Sequence, residues 1–145
     1  MANRDFHDLS SGLGAALYQA YDDYRLCGSV DLGNAGLAFI GGVAGGRTPD
    51  WIEPATDPNH RGSCHSAAAL GADLWILRSY AKGKVPVHEP MHILARSFVV
   101  GHAIHLTVDG CTPRGIPVLG VARLKCDDSR WIRPRRNLMR RKRSR

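Results

Sequence analysis

A histidine and an aspartate stand four residues apart in the segment GHAIHLTVDG, which has the composition of an apolar helix. His105 and Asp109 would project from one face of that helix, so an imidazole and a carboxylate could bind one cation. Their neighbours Ile104, Leu106 and Val108 are apolar, and a carboxylate in such surroundings costs free energy unless it is paired or metal-bound. The spacing indicates a metal site. The alternative is an aspartate in the last helical turn that faces solvent.

A second pair of histidines, His60 and His65, flanks the sequence RGSC. His65 stands at a predicted helix start, where backbone N–H groups also favour an anion such as phosphate. Arg61 lies between the two and could hold a phosphate or carboxylate through two N–H groups. Six of the seven histidines lie between positions 60 and 105, which favours metal binding or acid–base chemistry. The alternative is a surface loop with incidental histidines.

Two carboxylates occur upstream, in the sequence PDWIEP. Asp50 and Glu53 could complete a shell of oxygen and nitrogen ligands, or one of them could act as a general base toward a water molecule. Acids beside prolines also occur simply as turn residues. We therefore predict a catalytic role for Asp50, Glu53 and Arg61, with Asp50 also among the metal ligands.

The sequence HEPMH matches the HExxH pattern of zinc proteases. That pattern requires a continuous helix with both imidazoles on one face, and Pro90 more naturally marks the first turn of a helix. His88 would then lie outside the helix. We set the zinc-protease interpretation aside.

Four helices are predicted to position these residues. Ser10 or Ser11 would cap the first, which runs to about Arg25. Asn34 would cap the second, through AGLAFIGGVAGG. In the first helix, apolar residues recur every four positions, at Leu13, Leu17 and Tyr21, as in a structural face.

Paired glycines in the second helix, Gly41 with Gly45 and Gly42 with Gly46, would let another backbone approach closely. The polar, proline-rich residues 47–63 predict a long functional loop. A third helix is predicted from about His65 to residue 80 and a fourth from Pro90 to residue 109. The fold class is therefore all-α, a small helical bundle.

The length of 145 residues fits one domain, and the four scattered cysteines suggest neither a zinc ribbon nor a disulfide scaffold. The longest uncharged run has 14 residues, fewer than the roughly 20 that span a bilayer. No secretory signal peptide is recognisable. We expect a cytoplasmic protein, not secreted, that could also lie against the inner membrane.

The net charge of +7 comes from the C-terminal end. Residues 130–145 hold nine Lys/Arg and no acid, which leaves −2 for residues 1–129. Such a basic tail can bind nucleic acid or anionic lipid, or it can simply aid solubility. We predict a helical domain at 1–129 and a disordered basic tail at 130–145.

The segments GGVAGGRTPDWIEPATDPNHRGSCHS and VVGHAIHLTVDGCTPRGIPVLG together resemble the YdjM-like family of bacterial metal-dependent hydrolases, described as inner-membrane-associated and LexA-binding. The resemblance covers residues 41–120. It implies a mostly helical fold, and it implies the metal ligands Asp50, His60, His65, His105 and Asp109, with Glu53 as a further candidate. It also implies a repressor protein as a partner. Unlike many relatives, this chain shows no run of membrane helices.

The sequence thus predicts a helical domain that binds a divalent ion, zinc above manganese or iron, and hydrolyses a phosphoester with metal-activated water. The alternative is a non-enzymatic module, stabilised by a closed metal site, whose arginine-rich tail binds nucleic acid, an acidic protein or membrane. An open coordination position would distinguish the enzyme from the structural site.

Overall fold

The computed structural model describes residues 4–53, 63–82, 89–112 and 116, and within these ranges the chain forms α-helices and no strand. The helices are α1 (Arg4–Cys27), α2 (Leu32–Ile52), α3 (Ala67–Ala81) and α4 (Pro90–Gly110). Helices α1, α2 and α4 pack on one another, and α3 packs on α4. The predicted all-α bundle is confirmed. The boundary between the domain and the basic tail at 130–145 lies outside the described residues.

Helix α1 begins six residues or more before the predicted caps. Ser10 and Ser11 both lie inside the helix, and the Ser10 hydroxyl donates to the carbonyl of His7 at 3.1 Å. At the other end, Gly28 adopts a φ of +71°, and its N–H donates to the Tyr24 carbonyl at 2.9 Å. This left-handed residue favours glycine and ends the helix.

Helix α2 is capped by Asp31 rather than by Asn34. A carboxylate oxygen of Asp31 accepts the N–H groups of Gly33 and Asn34 at 2.7 and 3.1 Å, so Asn34 already belongs to the first turn. Aspartate is as effective a cap as asparagine, and the chain uses the earlier of the two.

The face of α1 that was predicted to be structural is exposed. Leu13, Leu17 and Tyr21 are 48%, 70% and 61% exposed, whereas His7 and Ser11 on the opposite face are buried. The prediction was wrong because periodicity shows which residues share a face and not what that face contacts. Other large apolar residues exposed on this helix are Phe6, Leu9 and Tyr24.

Polar contacts hold the inner face of α1 against α4. The buried guanidinium of Arg96 donates to Asp22 at 2.5 Å and to the side-chain oxygen of Gln19, and it lies over the ring of Tyr18, 5.1 Å from its centroid. A buried arginine needs such partners, since an uncompensated charge would be costly. The contacts therefore explain why this face of α1 is turned inward.

The glycines of α2 allow the close helix contacts that were predicted for them. A Cβ on Gly41 would lie 2.7 Å from the Leu94 carbonyl of α4, and one on Gly42 would lie 2.5 Å from the Ser11 carbonyl of α1. A Cβ on Gly45 would collide with the backbone of Phe98. Helix α2 can approach both neighbours only because these side chains are absent.

Helix α2 also continues into the segment that was predicted to be a loop. Residues 47–52 are helical with Pro49 inside, and the Glu53 N–H donates to the Pro49 carbonyl at 2.9 Å. Pro49 lacks the N–H that would bond to the carbonyl of Gly45, so packing of α2 on its neighbours must offset the cost of this proline. The rest of the predicted loop, residues 54–62, lies outside the described residues.

Helix α4 begins at Pro90, as predicted, and α3 begins with Ser66 as its cap. None of the helices in the described residues is long and apolar enough to cross a membrane.

Candidate metal centre

The ends of all four helices meet at one pole of the bundle. His7 lies near the start of α1, Asp50 in the last turn of α2, His65 two residues before α3, and His105 and Asp109 near the end of α4. Helices α2 and α4 therefore run in the same direction, antiparallel to α1 and α3. The three histidines and Asp109 are at most 6% exposed, whereas the Asp50 side chain is 39% exposed.

Four potential ligand atoms converge at this pole. The Nε2 atoms of His65 and His105 lie 3.3 Å apart, and the Oδ1 atom of Asp50 lies 3.3 Å from the first and 3.9 Å from the second. The Oδ2 atom of Asp109 lies 3.9 Å from His65 Nε2 and 3.7 Å from His105 Nε2. Tetrahedral ligands of zinc lie about 3.3 Å from one another. Five of the six pairwise distances are close to that spacing, so the two histidines could bind one ion together with either aspartate.

Both aspartates lie at C-terminal helix ends, while the N-terminal ends of α1 and α3 at the same pole have the opposite dipole. Asp50 and Asp109 both lie in the last turns of their helices, where exposed carbonyl groups make the local potential negative. The last turns of α2 and α4 carry no basic residue. The buried carboxylate of Asp109 still needs a positive partner, which a metal ion or a protonated histidine could supply.

Glu53 lies behind His65 and orients it. The Glu53 Oε2 atom is 3.0 Å from His65 Nδ1, and Oε1 accepts the Cys64 N–H at 3.0 Å. A proton on Nδ1 leaves Nε2 with its lone pair toward His105 and Asp50, as in carboxylate–histidine–metal arrangements. The structure thus places Glu53 outside the group of four ligand atoms.

His7 is a member of the site that sequence reasoning missed. Its Nε2 atom lies 3.6 Å from Asp109 Oδ1, and its ring centroid is 4.4 Å from that of His105. His7, His105 and Asp109 form a second group of potential ligands, which shares His105 with the group Asp50, His65 and His105. The only signal in the sequence is the i,i+4 spacing of His7 and Ser11, which gives α1 a polar pair on one side.

The buried position of these groups shifts their pKa values. Burial lowers the pKa of His65, but hydrogen bonds to Asp50 and Glu53 outweigh it and leave the value above 6.5. The hydrogen bond to His65 lowers the pKa of Asp50. Burial, followed by the nearby charge of His7, lowers the pKa of His105 to about 4. At neutral pH His105 is therefore unprotonated and ready to bind a metal.

Three residues that the sequence analysis discussed have no described position in the structure. His60, Arg61 and His88 lie outside the described residues, so their places relative to the site are not part of this geometry. Glu89 is the N-cap of α4, which agrees with setting the zinc-protease pattern aside. His92 is 36% exposed and lies 3.8 Å from Glu89.

Comparison of the chain with family models, curated proteins and solved structures gave no match. The resemblance to the YdjM-like family stays a prediction, and the candidate metal centre rests on its own geometry. What the described residues establish is a small all-α bundle in which buried histidines and aspartates could hold a metal ion.

Proposed function

We propose that the chain is a metal-dependent hydrolase that acts on a phosphoester, with its metal bound at the pole where the four helix ends meet. The observation that carries the proposal is the convergence of His65, His105, Asp50 and Asp109, whose donor atoms lie 3.3–3.9 Å apart for the five measured pairs. A bound divalent ion would lower the pKa of a water molecule and polarise a phosphoryl oxygen.

Zinc is the ion that we propose first. Two imidazole nitrogens with two carboxylate oxygens form a mixed set that suits zinc, and the same set accepts manganese or iron. His7 would add a third imidazole if the ion lies toward Asp109 rather than toward Asp50. The donor set argues against calcium and magnesium, which prefer oxygen ligands.

Asp50 is the residue that we propose as the general base, with His65, His105 and Asp109 as the protein ligands, so that one tetrahedral position would stay open for water. It is the one carboxylate of the group whose side chain is substantially exposed, at 39%, so a substrate and a water molecule can reach it. Its lowered pKa keeps it ionised at neutral pH. Glu53 shares its oxygens with His65 and Cys64, so we assign it the task of orienting His65 rather than accepting the proton. Arg61 would stabilise charge on the phosphoryl group.

A second candidate is a structural metal site in a non-enzymatic binding module. It is favoured by the burial of His7, His65, His105 and Asp109, none of which is more than 6% exposed. A closed site of this kind stabilises the fold and leaves no position for substrate. The exposed Asp50 favours the hydrolase over this alternative.

We also propose contact with the inner-membrane surface. The outward face of α1 presents Phe6, Leu9, Leu13 and Leu17, each at least 48% exposed, which is a large apolar surface for a monomer. The basic residues 130–145 would add attraction to anionic lipid. Nucleic acid, an acidic protein or a LexA-type repressor are the other partners that the tail and the family resemblance suggest.

The hydrolase proposal is tested by activity with defined metals. The metal-free chain would be reconstituted with zinc, manganese or iron and assayed with bis(p-nitrophenyl) phosphate and p-nitrophenyl phosphate. We expect metal-dependent release of p-nitrophenol that Asp50→Asn reduces by about 100-fold or more, a typical loss for a general base. The structural site would be favoured by a different result: the chain binds stoichiometric metal, unfolds when the metal is removed, and hydrolyses none of the phosphoesters tested.

A further inference from the structure

Helix α3 is attached to the bundle through an unusual residue. Its one buried side chain in the described structure is a charged one, Asp73, at 7% exposure. Its large apolar side chains Leu74 and Trp75 are 57% and 71% exposed. Among the described helices, α3 contacts α4 alone. Apolar burial therefore contributes less to the docking of α3 than to that of an ordinary amphipathic helix.

Asp73 is paired with a histidine of α4. The Oδ2 atom of Asp73 lies 2.6 Å from His102 Nδ1, and the two side chains are 9% and 15% exposed. A contact this short between partly desolvated groups is a strong, directional hydrogen bond, in which His102 donates and the carboxylate accepts. Neither residue belongs to the groups of potential metal ligands.

The position of the pair connects it to the metal centre. His102 is one helical turn before His105 on α4, and Asp73 is eight residues after His65, on the helix that His65 precedes. Ser66, between His65 and the helix, caps α3 by accepting the Ala69 N–H at 3.1 Å. Ser66 thus links His65 to α3, so a displacement of α3 from α4 would pull His65 away from His105, against the hydrogen bond between His65 and Glu53.

We infer that the Asp73–His102 pair is a positioning device: it holds α3 on α4 and thereby keeps His65 Nε2 within reach of His105 Nε2. The inference rests in part on the proposed metal centre, since metal affinity is one of its consequences. Its structural part, the docking of α3, is independent of any metal.

Three variants of the full chain test the inference. Asp73→Leu removes the hydrogen bond at similar volume. Asp73→Asn keeps an oxygen that can accept from His102 Nδ1. Gln19→Leu is the matched control, because it removes a buried hydrogen bond to Arg96 between α1 and α4 and leaves α3 untouched.

Two measurements need no metal. In hydrogen exchange, Asp73→Leu should speed exchange of residues 67–81 by about tenfold or more relative to wild type, while Asp73→Asn and Gln19→Leu should leave these amides close to wild type. Cys64 is half-buried beside His65, and burial raises the pKa of its thiol. Its rate of alkylation, followed by peptide mass spectrometry, should rise in parallel with exchange. Unchanged exchange and alkylation in Asp73→Leu would overturn the inference.

The third measurement is zinc affinity by competition with a chromogenic chelator. Asp73→Leu should weaken it about tenfold or more, and Asp73→Asn should restore most of the loss, as expected for groups that orient a ligand. If Asp73→Leu speeds exchange in α3 but leaves zinc affinity unchanged, the pair does not position His65. A wild-type chain that binds no zinc would contradict the proposed metal centre, while exchange and Cys64 alkylation would still decide whether the pair positions α3 and His65.

Discussion

His65 Nε2 lies 3.3 Å from His105 Nε2, although forty positions separate the two residues in the sequence. Both side chains are 1% exposed, so bulk solvent does not screen them from each other. Two unprotonated ring nitrogens at this distance repel each other unless a proton or a cation lies between them. In neutral His65 the contact with Glu53 favours the proton on Nδ1, the far nitrogen, and this leaves the lone pair of Nε2 on the near side for a cation.

Glu53 should act on metal affinity rather than on the proton-transfer step. Glu53→Gln can still accept a hydrogen bond from His65 Nδ1 but lacks the charge, so we expect zinc affinity to fall by about tenfold, and by up to about 100-fold in Glu53→Ala. At saturating metal, kcat should change little. A large loss of kcat with unchanged affinity would instead identify Glu53 as the general base.

His7 should contribute to metal binding even though it lies in the first helix. Its Nε2 atom is 3.6 Å from Asp109 Oδ1, so His7→Ala removes either a ligand or a group that orients Asp109. We expect zinc affinity, measured by chelator competition, to fall about tenfold or more. His92→Ala is the control, because His92 is more exposed and belongs to neither group of ligands. Equal affinity of the two variants would exclude His7 from the site.

Metal affinity should increase with pH. His65 has a pKa above 6.5 and must lose its proton to bind metal, so protons compete with the metal at and below that pKa. His105, with a pKa of about 4, adds no competition near neutral pH. Affinity should therefore rise with pH up to the pKa of His65 and level off once His65 is neutral. Calorimetry in buffers of different ionisation enthalpy measures the released proton, and an affinity independent of pH would contradict this account.

Two glycine-to-alanine substitutions should have opposite effects on stability. Gly45→Ala places a Cβ against the backbone of Phe98, so we expect a loss of about 1–3 kcal/mol in the free energy of unfolding. Gly71→Ala, in α3, meets nothing within 4 Å and should stabilise by about 0.5–1 kcal/mol through helix propensity. Urea unfolding followed by circular dichroism measures both. A Gly45→Ala variant as stable as wild type would contradict the close approach of α2 and α4.

The outward face of α1 should determine binding to lipid. Leu13→Ser with Leu17→Ser changes two exposed side chains, so we expect stability within about 0.5 kcal/mol of wild type and a clear loss of flotation with vesicles of anionic phospholipid. Leu32→Ser is the control, because Leu32 is 83% exposed but lies outside α1. Deletion of residues 130–145 should weaken flotation, and the loss should be larger in low salt than in high salt. Undiminished flotation of the leucine variant would exclude α1 as the contact.

Local sequence signals were sufficient to predict much of this fold. Pro90 begins α4 as expected from its missing N–H, and the i,i+4 spacing of His105 and Asp109 correctly placed both on one buried face. The glycine pairs of α2 correctly indicated close helix packing. Each of these features depends on contacts or geometry that a few neighbouring residues determine.

The errors concern interactions between distant segments. The apolar stripe of α1 resembles a core face, and only the partners of its polar side, such as Arg96 for Asp22, show that the helix is turned the other way. His7 reaches the site because this same polar side of α1 faces the bundle. Pro49 was interpreted as a helix breaker, but packing of α2 on both neighbours carries the helix through one more turn and places Asp50 beside His65.

Elemental analysis of the purified chain tests the central claim most directly. Wild type would be compared with a His65→Ala/His105→Ala variant and with His92→Ala, each after exposure to zinc and removal of excess metal, by mass spectrometry and with circular dichroism to check folding. We expect about one zinc per chain in wild type and in His92→Ala, and almost none in the folded double variant. Equal zinc in all three chains, or none in wild type, would contradict a metal centre at the pole of the bundle.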